Sequence, residues 1–171
     1  MTWQTGRPDA NLASEFREVM SSVATPVSVV TTMGGGGQPF GTTVSAFASL
    51  SMTPPMVLVA LDQGSDLLDQ VRRSGVFGLN VLASDQSELA LAFARKGGAS
   101  KFRAVEWELH SGLPRLPGAV GWLACMVDGL VDGGDHVVAL GHVRVAETAE
   151  GHPLIYHRRT FGTRHPLEVA G

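Results

Sequence analysis

The sequence predicts a mainly β fold with peripheral helices, an antiparallel barrel rather than a doubly wound sheet. Three observations carry this. The β-prone segments follow one another through turns, with no regular alternation of strand and helix. Glycine is abundant, 21 of 171 residues, against a usual level of about 7%. And 44% of the residues are hydrophobic at a net charge of only −3. Such a chain can build a core, and its charge does not oppose compaction. The glycines follow no three-residue period, so they belong to turns, bulges and close backbone approaches. The length is that of about one domain. We read residues 1–171 as that domain, with a core over about 12–162 and loose termini.

Each element has its own signal. Leu12, Phe16, Val19, Met20 and Val23 recur at helical spacing, predicting an amphipathic helix over Asn11–Val23, capped at Asp9 or Asn11. Thr25-Pro26 ends it. Val27–Thr32 is rich in β-branched residues and reads as a strand. Gly34–Gly37 with Gln38-Pro39 is a turn, and Phe40–Ser49 a second, antiparallel strand. Met56–Leu61 is continuously apolar, which predicts a strand buried on both faces. Ser65 caps a short helix to Ser74. Val76–Leu82 is a strand, and Ser84–Lys96 a helix capped by Ser84 and closed by Arg95 and Lys96. Residues 97–118 read as loop anchored by Trp107. Gly118–Leu130 and His136–Glu147 form a long hairpin joined at Val131–Asp135, and Pro153–Tyr156 a last short strand.

Composition excludes several functions. Thirteen basic residues against 16 acidic, with a pI of about 6.0, leave no footprint for nucleic acid. Cys125 is the only cysteine. It sits in the apolar run Gly121–Val127 and reads as a packed, inert thiol. No basic-then-apolar leader occurs and the longest apolar run is far too short to span a bilayer. No membrane partner is expected, and the cytoplasm is the expected location. His136 and His142 share a strand but stand about 20 Å apart, and no metal-ligand spacing appears, so no metal is expected. Gly-x-Ser-x-Gly is absent.

Two segments carry candidate chemistry. Gly41–Ser51 holds five hydroxyls: Thr42, Thr43, Ser45, Ser49 and Ser51. It reads either as a strand with one wetted face, which sequence physics alone prefers, or as a surface for a flat polar heterocycle or phosphates. Small residues let such a ligand approach the main chain. Gly133-Gly134-Asp135-His136 reads either as a tight turn or as a histidine with bare amides at a strand mouth.

Together these segments resemble the flavin reductase family, the small reductase partners of two-component flavin-dependent monooxygenases, which have the FMN-binding, Greek-key split-barrel fold. The resemblance covers about residues 12–162. It rests on Pro26–Thr32, on Gly41–Pro55, on Phe77–Leu82 followed by Gln86, Leu89, Ala90 and Phe93, on Lys101-Phe102, on Gly134-Asp135-His136 and on Pro153–Tyr156. Ala46 departs from the pattern, standing where a serine is common.

The resemblance implies hydride transfer from NADH or NADPH to FMN or FAD, and reduced flavin supplied to a monooxygenase. It implies flavin contacts from Thr42, Thr43, Val44, Ser45, Ser49 and Ser51, a flavin phosphate at Ser65, and the flavin tail along Asn80, Ala83 and Gln86. Lys101 and Phe102 would add charge and stacking. Gly134, Asp135 and His136 would position the nicotinamide, with His136 as the catalytic candidate. It also implies a homodimer, for which Leu123, Met126, Val138 and Leu140 offer apolar faces. Two other readings stand beside it: a non-enzymatic flavin-binding electron carrier on the same barrel, and an oxidase of the pyridoxamine-phosphate class. The latter would want more Arg and Lys before residue 156 for its phosphate.

Overall fold

The computed structural model describes residues 10–166. Helix α1 spans Ala10–Ser21. Strands β1 (Thr25–Pro26), β2 (Ser28–Met33), β3 (Pro39–Val44), β4 (Phe47–Met52) and β5 (Pro55–Asp62) follow. Next come α2 (Asp66–Ser74), β6 (Val76–Val81), α3 (Ser87–Ala94), a 3-10 helix (Gly98–Ala104) and the small hairpin β7 (Glu108–His110) with β8 (Leu113–Arg115). The long hairpin β9 (Gly121–Gly133) and β10 (His136–Thr148) leads to β11 (Ile155–His157) and β12 (Thr160–Gly162). Every strand pair is antiparallel.

The main sheet has seven strands in the order β3-β2-β6-β9-β10-β5-β4. Its two edges, β3 and β4, are consecutive in the chain, separated only by Ser45 and Ala46. A flat sheet of that order would hold its edges about 29 Å apart, at about 4.8 Å per strand. The link from Val44 to Phe47 reaches at most about 11 Å. The sheet must therefore curl until its edges meet, which makes the split barrel. Ala60 N donates to Ala46 O at 2.9 Å, carrying the pairing of β5 with β4 back into this link.

One cluster of core residues joins Val30, Leu61, Phe77, Leu79, Val137 and Ala139 to Leu67, Leu68 and Val71 of α2. A second joins Val29 of β2 to Ala90 and Phe93 of α3, Phe102 of the 3-10 helix, and Leu116 and Leu154. Val29 and Val30 thus serve different clusters, and β2 is buried on both faces. Expectation differs at β5, whose burial alternates: Val57, Val59 and Leu61 are inside while Met56, Leu58 and Ala60 are half-buried. A continuous apolar run does not distinguish a strand buried on both faces from one whose outer face is partly open.

Other boundaries move. The predicted strand Phe40–Ser49 breaks at Ser45-Ala46 into two edge strands. The helix predicted from Ser84 begins at Ser87, with Gln86 before it and no side-chain cap. Residues 97–118 contain the 3-10 helix and a hairpin, because Phe102 and Trp107 pack edge to face, with centroids 5.9 Å apart. Of the α1 cap positions, Asp9 lies outside the described residues, and Asn11 is already inside the helix, its side chain donating to Glu15. The long hairpin turns on Gly134-Asp135 alone, with Gly134 at φ +71°, a conformation glycine adopts without strain.

Gly78 explains part of the glycine excess. A Cβ there would run into the Trp122 indole and lie 2.7 Å from Thr31 Oγ1. Gly78→Ala should lower stability by about 1–3 kcal/mol through overpacking. Urea titration of both proteins measures it, and an unchanged midpoint would show that Trp122 can move aside.

Candidate active site

The link that closes the barrel also shapes a cleft. A cavity of about 200 Å³ lies between Thr42–Ala46 and Ala60–Asp62, with Ser65 and His136 at its sides. Four elements meet there: the end of β3, the end of β5, the start of α2 and the start of β10.

His136 opens β10 immediately after the two-residue turn, and its side chain is 43% exposed. Its Nδ1 lies 2.7 Å from Asp135 Oδ1. A carboxylate only accepts, so Nδ1 carries the proton in this bond; in the neutral ring Nε2 is then the acceptor, and in the protonated ring both nitrogens donate. The same bond holds the Asp135 carboxyl below its usual range, assisted by attraction to His136. Gln63 fixes the turn from behind. Its side-chain amide donates to Gly134 O and its backbone N to Asp135 O, both at 3.0 Å. Nothing in the sequence marks Gln63, because its role exists only once β5 and β10 pair.

A second cavity of about 350 Å³ adjoins the first, sharing Thr42, Asp62 and Ser65. Its lining includes Arg95, Lys96 and Lys101 against Asp62 and Asp66. Ser65 caps α2, its Oγ accepting from Leu68 N at 3.1 Å. Lys101 Nζ donates to Gly41 O at 3.1 Å and to Phe93 O at 2.9 Å. Burial pushes the Lys101 ammonium below its ordinary pKa, and Asp66 partly opposes this. Arg95 and Lys96 read in the sequence only as closing charges of a helix. The turn after α3 brings them to the cavity.

The structure gathers some of the expected residues and not others. Thr42, Thr43, Val44, Ser45, Ser65 and His136 line the first cavity, and Lys101 the second. Two of the expected hydroxyls face helix α3: Thr43 Oγ1 donates to Ala90 O at 2.6 Å and Thr42 Oγ1 to Phe93 O at 3.5 Å. What these residues offer the cleft is chiefly backbone. Ser49 and Ser51 lie further along β4 and line neither cavity; Ser51 Oγ accepts from Thr53 N.

Asn80 is fully buried, donating to Val29 O and accepting from Leu116 N. Gln86 accepts from Ala83 N and donates to Pro117 O. These three residues tie strands and loops together and reach neither cavity. Phe102 is buried edge to face with Phe93, with centroids 4.8 Å apart, so its ring serves the core. Gly41 answers the same packing, since a Cβ there would lie 2.9 Å from the Phe93 ring.

The donor set suits a flavin. Backbone and small side chains along Thr42–Ala46 match a flat heterocycle, and the cations of the adjoining cavity match a phosphate. No residue pair in the cleft forms a nucleophile with its base. A split barrel whose cleft offers backbone, one oriented histidine and nearby cations is suited to holding a bound ring that carries the chemistry. Residues 20–165 match the flavin reductase like domain, and the chain belongs to that family.

Its relatives agree. The chain is 40% identical over 157 residues to the reductase component of a Rhodococcus opacus 4-nitrophenol 4-monooxygenase/4-nitrocatechol 2-monooxygenase, covering 92% of this chain and 84% of that one. It is 32% identical over 174 residues to an NADH-dependent flavin reductase of a Rhodococcus species, covering 100% and 96%. Among solved structures, the NADH:FAD oxidoreductase of Streptomyces globisporus, in complex with NAD and FAD fragments, superposes with a TM-score of 0.84. It is 29% identical, covering 98% of this chain and 100% of that one.

Lys101→Met keeps most of the apolar stem but removes both bonds to Gly41 O and Phe93 O. It should cost about 1–2 kcal/mol, the discounted worth of charged hydrogen bonds at a half-buried site. Urea titration at neutral pH tests this, and a variant as stable as the parent would show that water replaces the ammonium.

Proposed function

We propose that the protein is an NAD(P)H-dependent flavin reductase that takes hydride from NADH or NADPH to FMN or FAD. The reduced flavin then leaves for a flavin-dependent monooxygenase. The chain would act as one domain in the cytoplasm, where reduced nicotinamide is available. The observation that carries the reading is the meeting of His136 with the backbone of Thr42–Ala46 across one cleft. It sets a directional side chain opposite a surface suited to a flat ring.

Bound flavin supplies the two-electron acceptor. The chain's own work is to hold the rings. Thr42–Ala46 would support the flavin ring and Ser65 would receive its phosphate, with Arg95, Lys96 and Lys101 balancing the charge. His136 Nε2 would accept from the nicotinamide carboxamide, while Asp135 and Gln63 keep the imidazole in place. Backbone amides and cations beside the ring also favour the negative charge that reduction brings. Stacking two rings at reacting distance requires no general base.

We further propose a homodimer. The reading is supported by apolar side chains left on the outside: Leu50 at 45% exposure, Met52 at 81%, Met126 at 40% and Val131 at 52%. The stripe Leu12, Phe16, Val19 and Met20 of α1 is exposed as well. A monomer rarely leaves so much apolar surface uncovered. Leu123 is packed against the core, while Val138 and Leu140 are half-buried on β10.

Two measurements test these proposals. NADH and NADPH oxidation should depend on added FMN or FAD, and His136→Ala should raise the KM for the nicotinamide about tenfold with little change in that for flavin. Gln63→Ala should shift the same constant in the same direction by less. Flavin bound without nicotinamide oxidation would point to an electron carrier, and an unchanged nicotinamide KM would remove His136 from its role. By sedimentation equilibrium, the particle should have twice the mass of the 18.0 kDa chain. A particle of single-chain mass at micromolar concentration would overturn the dimer.

A further inference from the structure

The end of β5 puts an unpaired carboxylate into the histidine cleft. Asp62 stands directly across from His136 in the pairing of β5 with β10, and both line the first cavity. Beside His136, Asp62 is the only ionisable group on that lining. One oxygen is held: Asp62 Oδ1 accepts from Gly64 N at 2.7 Å, while the Asp62 carbonyl accepts from Ser65 N at 3.1 Å. Among the described residues the carboxylate enters no ion pair. The cavities on either side are charged differently. On one side the cationic cavity sets Arg95, Lys96 and Lys101 against Asp62 and Asp66. On the other, a third, aromatic cavity of about 360 Å³ backs the same wall. It shares Thr43, Val44 and Ser45 with the cleft and closes on Tyr156, Arg159 and Phe161. Its guanidinium is already paired, with Glu18 at 3.3 Å.

An unpaired carboxylate is of the wrong sign for a cleft that takes a phosphate-bearing ligand, so its presence calls for a reason. Asp62 is exposed to water. A ring lying along Thr42–Ala46 would displace part of that water and strengthen the field of the carboxylate. Hydride transfer takes two electrons and one proton from NAD(P)H, leaves NAD(P)⁺, and turns a neutral flavin ring into an anionic one. A carboxylate across the cleft is indifferent to the charge of the first form and repels the second. We infer that Asp62 weakens the hold on reduced flavin relative to oxidised flavin, and so releases the product to its acceptor. The inference rests on the flavin reading of the cleft and adds how the cleft lets its product go. Amides and cations alone would favour reduction and then retain the anion; Asp62 opposes the retention.

Anaerobic calorimetry with FMN, oxidised or reduced beforehand with dithionite, tests this. The phosphate carries the same charge in both forms, so the ratio of the reduced to the oxidised Kd reports the ring. In the parent protein reduced FMN should bind no more tightly than oxidised FMN. Asp62→Asn keeps an oxygen for Gly64 N and removes the charge. It should lower the ratio about fivefold, the worth of one screened charge at a site open to water, mainly by tightening reduced FMN. Asp66→Asn alters a carboxylate that lines only the cationic cavity. It should move both constants together and hold the ratio within about twofold. An Asp62→Asn ratio equal to the parent's, an Asp66→Asn ratio that moves as far, or tighter binding of reduced FMN by the parent overturns the role of Asp62 and leaves flavin binding standing. An effect confined to Asp62→Ala, which also loses the bond from Gly64 N, would assign Asp62 to the geometry of the corner and overturn it as well. Binding of neither form overturns the flavin reading, and the role of Asp62 with it.

Discussion

The two-residue connection between β3 and β4 is the constraint on which the rest of the molecule depends. Because Ser45 and Ala46 cannot span an open seven-stranded sheet, the sheet closes on itself. The seam of that closure brings the ends of β3 and β5 together, and α2 and β10 begin beside it. The cleft is thus a by-product of closure, and its walls are held by the same strand pairing that holds the barrel.

Closure also sets the terms of packing. A small barrel leaves little room for large rings, and glycines make that room: Trp122 over Gly78, and Phe93 over Gly41. The Thr42 hydroxyl on β3 and the ammonium of Lys101 then dock on Phe93 O in the last turn of α3. Such bonds give a half-buried helix end the partners its own ladder lacks. The polar groups around the cleft are therefore largely engaged with the protein itself. What remains for a ligand is backbone, one oriented histidine and a set of cations.

Much of this was legible in the sequence, for physical reasons. Strand periodicity, turn glycines and the absence of βα alternation pointed to an antiparallel barrel, and Ser65 signalled the cap of α2. The motif Gly134-Asp135-His136 marked both the turn and the histidine it presents. Other features were not legible. The break at Ser45-Ala46 has no local signal, since neither residue disfavours a strand; the tertiary requirement to change edges imposes it. Asn80 and Gln86 look like ligand-binding polar residues in a sequence, but Asn80 is buried and both side chains bond to the backbone of neighbouring segments. Gln63 and the aromatic cavity depend on contacts between distant segments, and nothing local encodes them.

Residues 43–45 form a wall common to two cavities, and the neighbouring Thr42 belongs to two as well. A wall shared in this way is a thermodynamic link. Any molecule that changes the position or stiffness of β3 from one side changes the affinity on the other. Such coupling is reciprocal: whatever factor the first ligand confers on the second, the second confers on the first. Two ligands held on opposite sides of this four-residue stretch of edge strand would each register the other in its own affinity.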